Sequence, residues 1–394
     1  MSRKKKLHAA SAMAVATGMT AALVLAHGAN ASPAAAAPAP ACGVLFDDFH
    51  YSSPTDSAFT GAGWTTRNDV GSPGVPGARW LTGNISFPTV NGEKVAQLNA
   101  STDGTADGTT HAEFYQNQLR FLEGTYASRV KFTDAPTSGT DGDHVNQTYF
   151  TISPLRYDRD PLYSELDFSE YLPNGGWGGP QADYQTSWHT YWNSPTWDGQ
   201  RISTAQNRSF DGWHDLVTQV SGGHVKYYID GALTADHTVD AAGNSVYPRT
   251  PMSINYNMWF IDTAGHAGGT STYTQQVDWT YYAGNEVVSP ADAVARAGQY
   301  RSAGTAHVDT VGSNNCTTPT TTPPATTTTA NTPPTTTTTT KPPASCSGAP
   351  AWDWGTVYLG GQRVQHHGHL WQANWWTQGS EPGLTAQWAD LGPC

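Results

Sequence analysis

Much of the chain up to residue 285 alternates apolar and polar positions with a period of two, the mark of half-buried β-strands. Within Tyr126–Phe132, Arg129 and Lys131 alternate with Val130 and Phe132. Trp213–Tyr228 holds two such runs around Ser221-Gly222-Gly223, which predicts a tight hairpin. Tyr184, Thr186, Trp188, Thr190 and Trp192 fall on one face, with Gln185, Ser187, His189 and Tyr191 on the other. Met252, Ile254, Tyr256 and Met258 alternate in the same way with Ser253, Asn255, Asn257 and Trp259. Faces that gather Asn, Gln, His and Trp read as a binding cleft rather than a solvated exterior. Only Pro290–Arg301 reads as a helix, with Ser289 as N-cap and Pro290 at its first position. Many short strands and one helix predict an all-β chain built on a large sandwich.

The pattern stops at residues 317–344, which are almost wholly Thr and Pro. Such a stretch has nothing apolar to bury and stays extended, with a reach on the order of 80–90 Å. It separates a large region, 42–316, from a small one, 345–394. At the other end, Arg3 and Lys4–Lys6 precede an Ala/Val/Leu run, and Ala29-Asn30-Ala31 offers a small-x-small cleavage site. Residues 1–31 therefore read as a signal peptide, followed by an Ala/Pro-rich lead over 32–41. The run is short and interrupted for a membrane anchor. The chain is expected to be extracellular, with no membrane association after cleavage.

Cleavage takes away four positive charges and no acids, so the formal charge moves from −12 to −16. No basic cluster remains, which excludes nucleic acid and anionic membranes as favoured partners and points to a neutral glycan. Four cysteines in an exported chain suggest disulfides, with three connectivities open. Spacing favours Cys42–Cys316 and Cys346–Cys394. Fifteen Trp and eighteen Tyr against 13% charged residues supply flat rings that can stack on sugars, as well as sheet cores.

Candidate chemistry concentrates in Tyr163–Tyr171, Y-S-E-L-D-F-S-E-Y, with Glu165, Asp167 and Glu170. In a regular strand Glu165 and Asp167 share a face, while Glu170 falls with Leu166 and Phe168 on the apolar side. A carboxylate there would cost several kcal/mol or lose its charge. One β-bulge near Phe168 or Ser169 returns it to the acidic face, and that bulge is predicted. Two glutamates and an aspartate on one face are the equipment of retaining glycoside hydrolysis. Glu165 would be the nucleophile, Glu170 the general acid and then base, and Asp167 the group that orients and tunes them.

The string E-L-D-F-S-E resembles the bulged signature of glycoside hydrolase family 16. G-V-L-F-D-D-F at 43–49, G-T-Y-A-S-R-V-K-F at 124–132, F-D-G-W-H-D-L at 210–216, V-K-Y-Y-I-D-G at 225–231, P-M-S-I-N-Y-N-M-W at 251–259 and Q-V-D-W-T-Y-Y at 276–282 are similar to its other strands in order. The resemblance implies a concave β-jelly-roll sandwich of concanavalin type and endo-action, with retention, on β-1,3 or β-1,4 glycans. It also places Asn257 and Trp259 in the cleft, with His189 a weaker candidate on a neighbouring strand. H-V-N-Q-T-Y-F-T-I-S stands where the laminarin-cleaving branch carries tryptophan-proline-alanine. The glycine-rich Tyr171–Gly179 segment sets Trp177 beside the acids. No cofactor is expected. Asp141/Asp143 and Asp103/Asp107 could hold a structural calcium, though solvated loops are the preferred reading.

Residues 346–394 are too few to rely on a core alone, and a Cys346–Cys394 bridge would close nearly the whole module. A-W-D-W-G-T-V-Y-L-G-G-Q-R-V and A-N-W-W-T-Q resemble carbohydrate-binding modules of family 5/12. The resemblance implies a small β domain that holds insoluble chitin or cellulose through exposed aromatics, with Trp375 and Trp376 on the motif and Tyr358 and Trp354 as further candidates. The expected function is an endo-β-glucanase on β-1,3 or mixed-linkage glucan. A transglycosylase that remodels wall glycan and a non-catalytic lectin are the alternatives.

Overall fold

A computed structural model describes residues 41–312 and, C-terminally, 346, 348–353, 356, 358, 361–373, 382 and 388–394. The expected signal peptide, the Thr/Pro linker, Cys316, Trp354, Trp375 and Trp376 lie outside the described residues.

Two sheets form a jelly-roll sandwich. The inner sheet runs, in spatial order, Trp64–Thr66, Thr110–Gln116, Ser253–Phe260, Val145–Ile152, Glu165–Leu172, Ala182–Trp192 and Asp198–Gln206, antiparallel throughout. The outer sheet runs Ala232–His237, His224–Ile229, Gly212–Ser221, Gly124–Phe132 and Ser271–Gly284. Ala96–Thr102 and Val44–Asp47 share the far edge of that last strand. The predicted hairpin is present: Gly212–Ser221 turns into His224–Ile229 through Gly222 and Gly223, whose φ of 60° and 83° suit the twist of the flanking strands.

The alternation along Ser253–Phe260 sorts as expected. Ile254, Tyr256 and Met258 join the core between the sheets with Tyr126, Val130, Phe132, Leu166, Phe168 and Tyr171. Tyr256 is the central piece. Its ring stacks on Tyr149 at 4.8 Å and Phe114 at 5.0 Å, and its hydroxyl donates to Ser128 Oγ of the outer sheet at 2.9 Å. Ser128 passes the bond on to the Trp279 carbonyl at 2.8 Å, so no polar atom of this bridge is stranded.

The helix spans Pro290–Ser302, and Ser289 Oγ accepts from Asp292 N at 3.2 Å as its cap. Ala293 and Ala297 cover Val217, Trp279 and Tyr281 on one part of the outer sheet's far face. A second helix of 5 residues, Ser57–Gly61, capped by Asp56, was not expected, because one turn is too short to show a period.

In the C-terminal region, Arg363–His366, His369–Ala373 and Trp388–Pro393 make a three-stranded sheet. Cys346 is bonded to Cys394 as expected. Cys42 is also disulfide-bonded, and Cys316, its expected partner, lies outside the described residues. Tyr358 corrects the sequence reading. It is 5% exposed, packs edge-on against Trp388 at 5.1 Å, and its hydroxyl accepts from Asp353 N at 2.7 Å. A module this small needs its aromatics inside, so Tyr358 supplies core rather than a polymer-facing ring.

Tyr256→Ala should cost about 3–5 kcal/mol and Tyr256→Phe only about 1 kcal/mol, read from urea midpoints. Equal effects would mean that the hydroxyl bridge, rather than the ring stack, joins the sheets.

Candidate active site

Against Val145–Ile152, Asp167 pairs with Phe150 and Ser169 with Tyr149, leaving Phe168 without a partner. Against Ala182–Trp192, Asp167 pairs with Thr186 and Glu170 with Tyr184, so Phe168 and Ser169 together span Gln185. This is the predicted β-bulge. Phe168 turns inward, where its ring lies 4.7 Å from that of Tyr149 and 5.0 Å from that of Tyr126. Ser169 is buried as well, and its Oγ donates to Asp183 Oδ1 at 2.5 Å. Gln185 Nε2 donates to Asp183 Oδ2 at 2.7 Å. One buried carboxylate therefore ties down both strands where the ladder is broken. Burial pushes Asp183 up to about 8, against the pull of those hydrogen bonds.

Past the bulge, Glu170 rejoins the face of Glu165 and Asp167. Each acid has its own donor. Tyr163 OH donates to Glu165 Oε2. Trp188 Nε1 donates to Asp167 Oδ2 at 2.7 Å. Thr186 Oγ1 and Asn146 Nδ2 reach Glu170 at 3.2 and 3.4 Å. Burial raises all three above the ordinary carboxylate range, and the charge of Glu170 raises Glu165 and Asp167 further. The opposing cation is Arg201, which pairs with Trp188 in register and lays its guanidinium over Trp188 at 4.6 Å and Trp197 at 5.2 Å. The trio holds protons as a set, so at neutral pH the site can offer an ionised carboxylate and a protonated one together.

Other expected residues divide. Asn257 faces the same side, its Oδ1 accepting from Thr148 Oγ1 at 2.5 Å, and Thr148 pairs with Glu170. Trp177 is 54% exposed and places its ring 6.1 Å from Trp259 and 6.2 Å from Tyr184. The turn that lifts it requires glycine at 175, where φ is 74° and a Cβ would meet the Gly179 carbonyl oxygen at 2.4 Å. Trp177, Trp259 and Tyr184 thus form an aromatic wall at the Glu170 end, and Trp188 and Trp197 form one at the Glu165 end. His189 is not with them. The ladder shifts register between Trp188 and Thr190, and His189 Nδ1 pairs with the Ser245 carbonyl at 2.8 Å, beside Arg249. It braces a loop rather than the cleft.

Sequence reasoning missed Tyr163, Trp188, Thr186, Asn146 and Arg201 as partners of the acids. The alternation along Tyr184–Trp188 was the available signal for two of them. Arg201 and Asn146 depend on cross-strand register, which no local pattern carries. Three of the four acids weighed for calcium have other partners: Asp143 pairs with His266 at 2.8 Å, Asp141 Oδ1 accepts from Tyr273 OH at 3.0 Å, and Asp103 accepts from Thr105 N at 2.9 Å. Among the described residues no three metal-capable side chains gather.

Fold and site together define a two-sheet β-jelly roll with a carboxylate trio on its inner sheet, accompanied by a small disulfide-closed β domain. Residues 351–389 match the carbohydrate-binding module family 5/12. Over this region the chain is 54% identical across 39 residues to chitinase A of Pseudoalteromonas piscicida, which is 10% of this chain and 5% of that protein. It is 49% identical across 45 residues to endoglucanase A of Evansella cellulosilytica, 11% of this chain and 9% of that protein. The chain therefore spans less than a tenth of the length of these curated relatives. Among solved structures, it is similar to a Bacillus licheniformis β-glucanase, with 18% identity, a TM-score of 0.44, and coverage of 61% of this chain and 97% of that one. It is likewise similar to a Thermotoga maritima laminarinase catalytic domain, with 15% identity, a TM-score of 0.42, and coverage of 60% and 95%.

The raised carboxyls fix the direction of the pH dependence. A carboxyl whose folded pKa lies above its unfolded one binds more protons in the folded state. Its contribution is complete below about pH 4 and is lost as pH rises through the folded value. With Asp183 near 8 and Glu113, also buried, near 7, the melting temperature should fall between pH 5 and pH 8. Glu170→Gln should flatten that fall in a calorimetric series. An unchanged slope would mean that Glu170 is not held above its ordinary pKa.

Proposed function

We propose that this chain is a secreted, endo-acting, retaining glycoside hydrolase of β-linked glucan, with β-1,3 or mixed-linkage glucan its first substrate class. The observation that carries the proposal is the convergence of Glu165, Asp167 and Glu170 on one face through the Phe168 bulge, each with a separate hydrogen-bond donor. The order of strands around E-L-D-F-S-E, similar to family 16, supports it independently. Aromatic walls on both sides of the acids suit a chain that enters in mid-polymer.

In the first step Glu165 Oε attacks the anomeric carbon. The bond to the leaving oxygen breaks, and Glu170 gives that oxygen its proton. The hydrogen bond from Tyr163 offsets part of the burial that raises Glu165 and so supports the ionised form that a nucleophile must take. In the second step Glu170 takes a proton from water, whose oxygen attacks the same carbon and frees Glu165. Asp167, held by Trp188, lies between the two glutamates, whose charges raise its own proton affinity. The C-terminal module, by its likeness to domains of a chitinase and an endoglucanase, would hold the enzyme on insoluble chitin or cellulose. The polymer that is held and the polymer that is cut need not be the same.

Laminarin, lichenan, agarose, galactan and chitin scored for new reducing ends should single out one or both of the first two. Glu165→Gln should lose roughly 10³-fold or more of that activity. With an activated glycoside, azide should rescue Glu165→Ala as the α-azide and Glu170→Ala as the β-azide. Activity retained in Glu165→Gln would return the chain to a polysaccharide-binding role. Release mainly of lengthened products when acceptor sugar is added would make it a transglycosylase. A chain lacking 345–394 should keep its rate on soluble glucan and lose retention on insoluble chitin or cellulose.

A further inference from the structure

Outside the cleft, one part of the outer sheet carries an organised polar surface that the proposed hydrolysis does not use. The helix Pro290–Ser302 packs over Val217, Trp279 and Tyr281 on that sheet's far face. Farther along the same strands, the face forms a groove lined by Gln97, Asn99, Lys131, Thr133, Thr274 and Gln276. Core residues lie between them in sequence: Leu98, Val130, Tyr273 and Val277 point into the sandwich, so the groove residues point away from it.

Register lines up three of these side chains, and Trp213 beyond them, across four strands. Gln97 pairs with Gln276, Gln276 with Lys131, and Lys131 with Trp213. At the usual strand spacing this row is roughly 14 Å long, room for about two or three pyranose rings end to end. Its chemistry is graded. Gln276 Nε2 donates to Gln97 Oε1 at 2.8 Å, and Thr274 Oγ1 donates to Asn99 Oδ1 at 2.9 Å. The acceptors at this end are thereby engaged, while Asn99 Nδ2 and Lys131 Nζ have no partner among the described residues. At the other end stands the half-buried indole of Trp213, with Arg129 at 5.8 Å from its ring. The groove itself has no carboxylate, although the chain is acidic overall.

We infer that this row is a second glycan-binding site, remote from the catalytic residues, which takes a neutral, hydroxyl-rich polysaccharide chain. Trp213 stacks on the C–H face of one ring. Asn99, Lys131 and the threonine hydroxyls bind the hydroxyls of the next rings. Of the two cations beside the row, Arg129 is paired with Asp215 at 2.9 Å, and Lys131 by itself among amides fits a neutral chain better than a polyanion, which would need several. Such a site would keep a soluble polymer near the enzyme between cuts.

The inference stands apart from the hydrolase reading and is tested by binding alone. Full-length Glu165→Gln is run in native gels containing lichenan, laminarin or, as a polyanion, carboxymethylcellulose, and retardation is compared with that of further variants. Adding Trp213→Ala should weaken retardation by neutral glucan by about fivefold or more. Lys131→Ala with Asn99→Ala, both surface changes, should weaken it by about threefold, and circular dichroism should report an intact fold for each. Trp188→Ala, in the cleft, gives the separate share of the proposed active site. Retardation by neutral glucan that is unchanged in both groove variants would overturn the inference, as would stronger retardation by the polyanion than by either neutral glucan. Loss in the groove variants with no polysaccharide cleaved by the native chain would keep the second site and sink the hydrolase.

Discussion

One unpaired residue organises the inner sheet. Phe168 occupies a position with no partner on Val145–Ile152, and this shift of one place decides which way Glu170 points. The apolar interior drives it. An aromatic side chain seated among Tyr126, Tyr149 and Tyr227 gains far more from burial than a carboxylate could tolerate there. The broken ladder is mended by Asp183, which collects bonds from Ser169 and Gln185 on the two strands concerned. The acidic face is therefore a consequence of core packing.

The same packing sets the electrostatics. Three carboxylates on one strand repel one another and lose solvation, which costs stability as the pH rises. Separate donors from Tyr163, Trp188, Thr186 and Asn146 offset part of that cost and hold each acid in one orientation. Arg201, stacked on two tryptophans, adds charge without an ion pair that would consume a carboxylate. A chain that placed stability first would not gather these groups, and this is the balance expected of a site built for proton transfer.

How much of this could be read beforehand depended on the range of each interaction. The sandwich was legible because apolar alternation along Ser253–Phe260 and Tyr126–Phe132 is a local signal. The bulge was legible because its absence would have buried Glu170. Arg201 and Asn146 were not, since they reach the acids only through the pairing of strands distant in sequence. His189 misled because the resemblance was carried onto a residue that alternation sets on the face opposite Thr186 and Trp188, and with the register shift beside it that side chain meets the loop at Ser245. Tyr358 misled for a related reason: a motif marks a residue as important without saying whether it faces the polymer or the core.

The claim that binds these observations is that the bulge brings Glu165 and Glu170 close enough to work on one glycosidic bond through a covalent intermediate. Carboxyl groups about 5–5.5 Å apart give retention, and a wider gap that admits water gives inversion. Proton NMR of the first sugar released from lichenan or laminarin, recorded before mutarotation, reads the outcome directly. The account predicts that the β-anomer appears first; initial release of the α-anomer would contradict it.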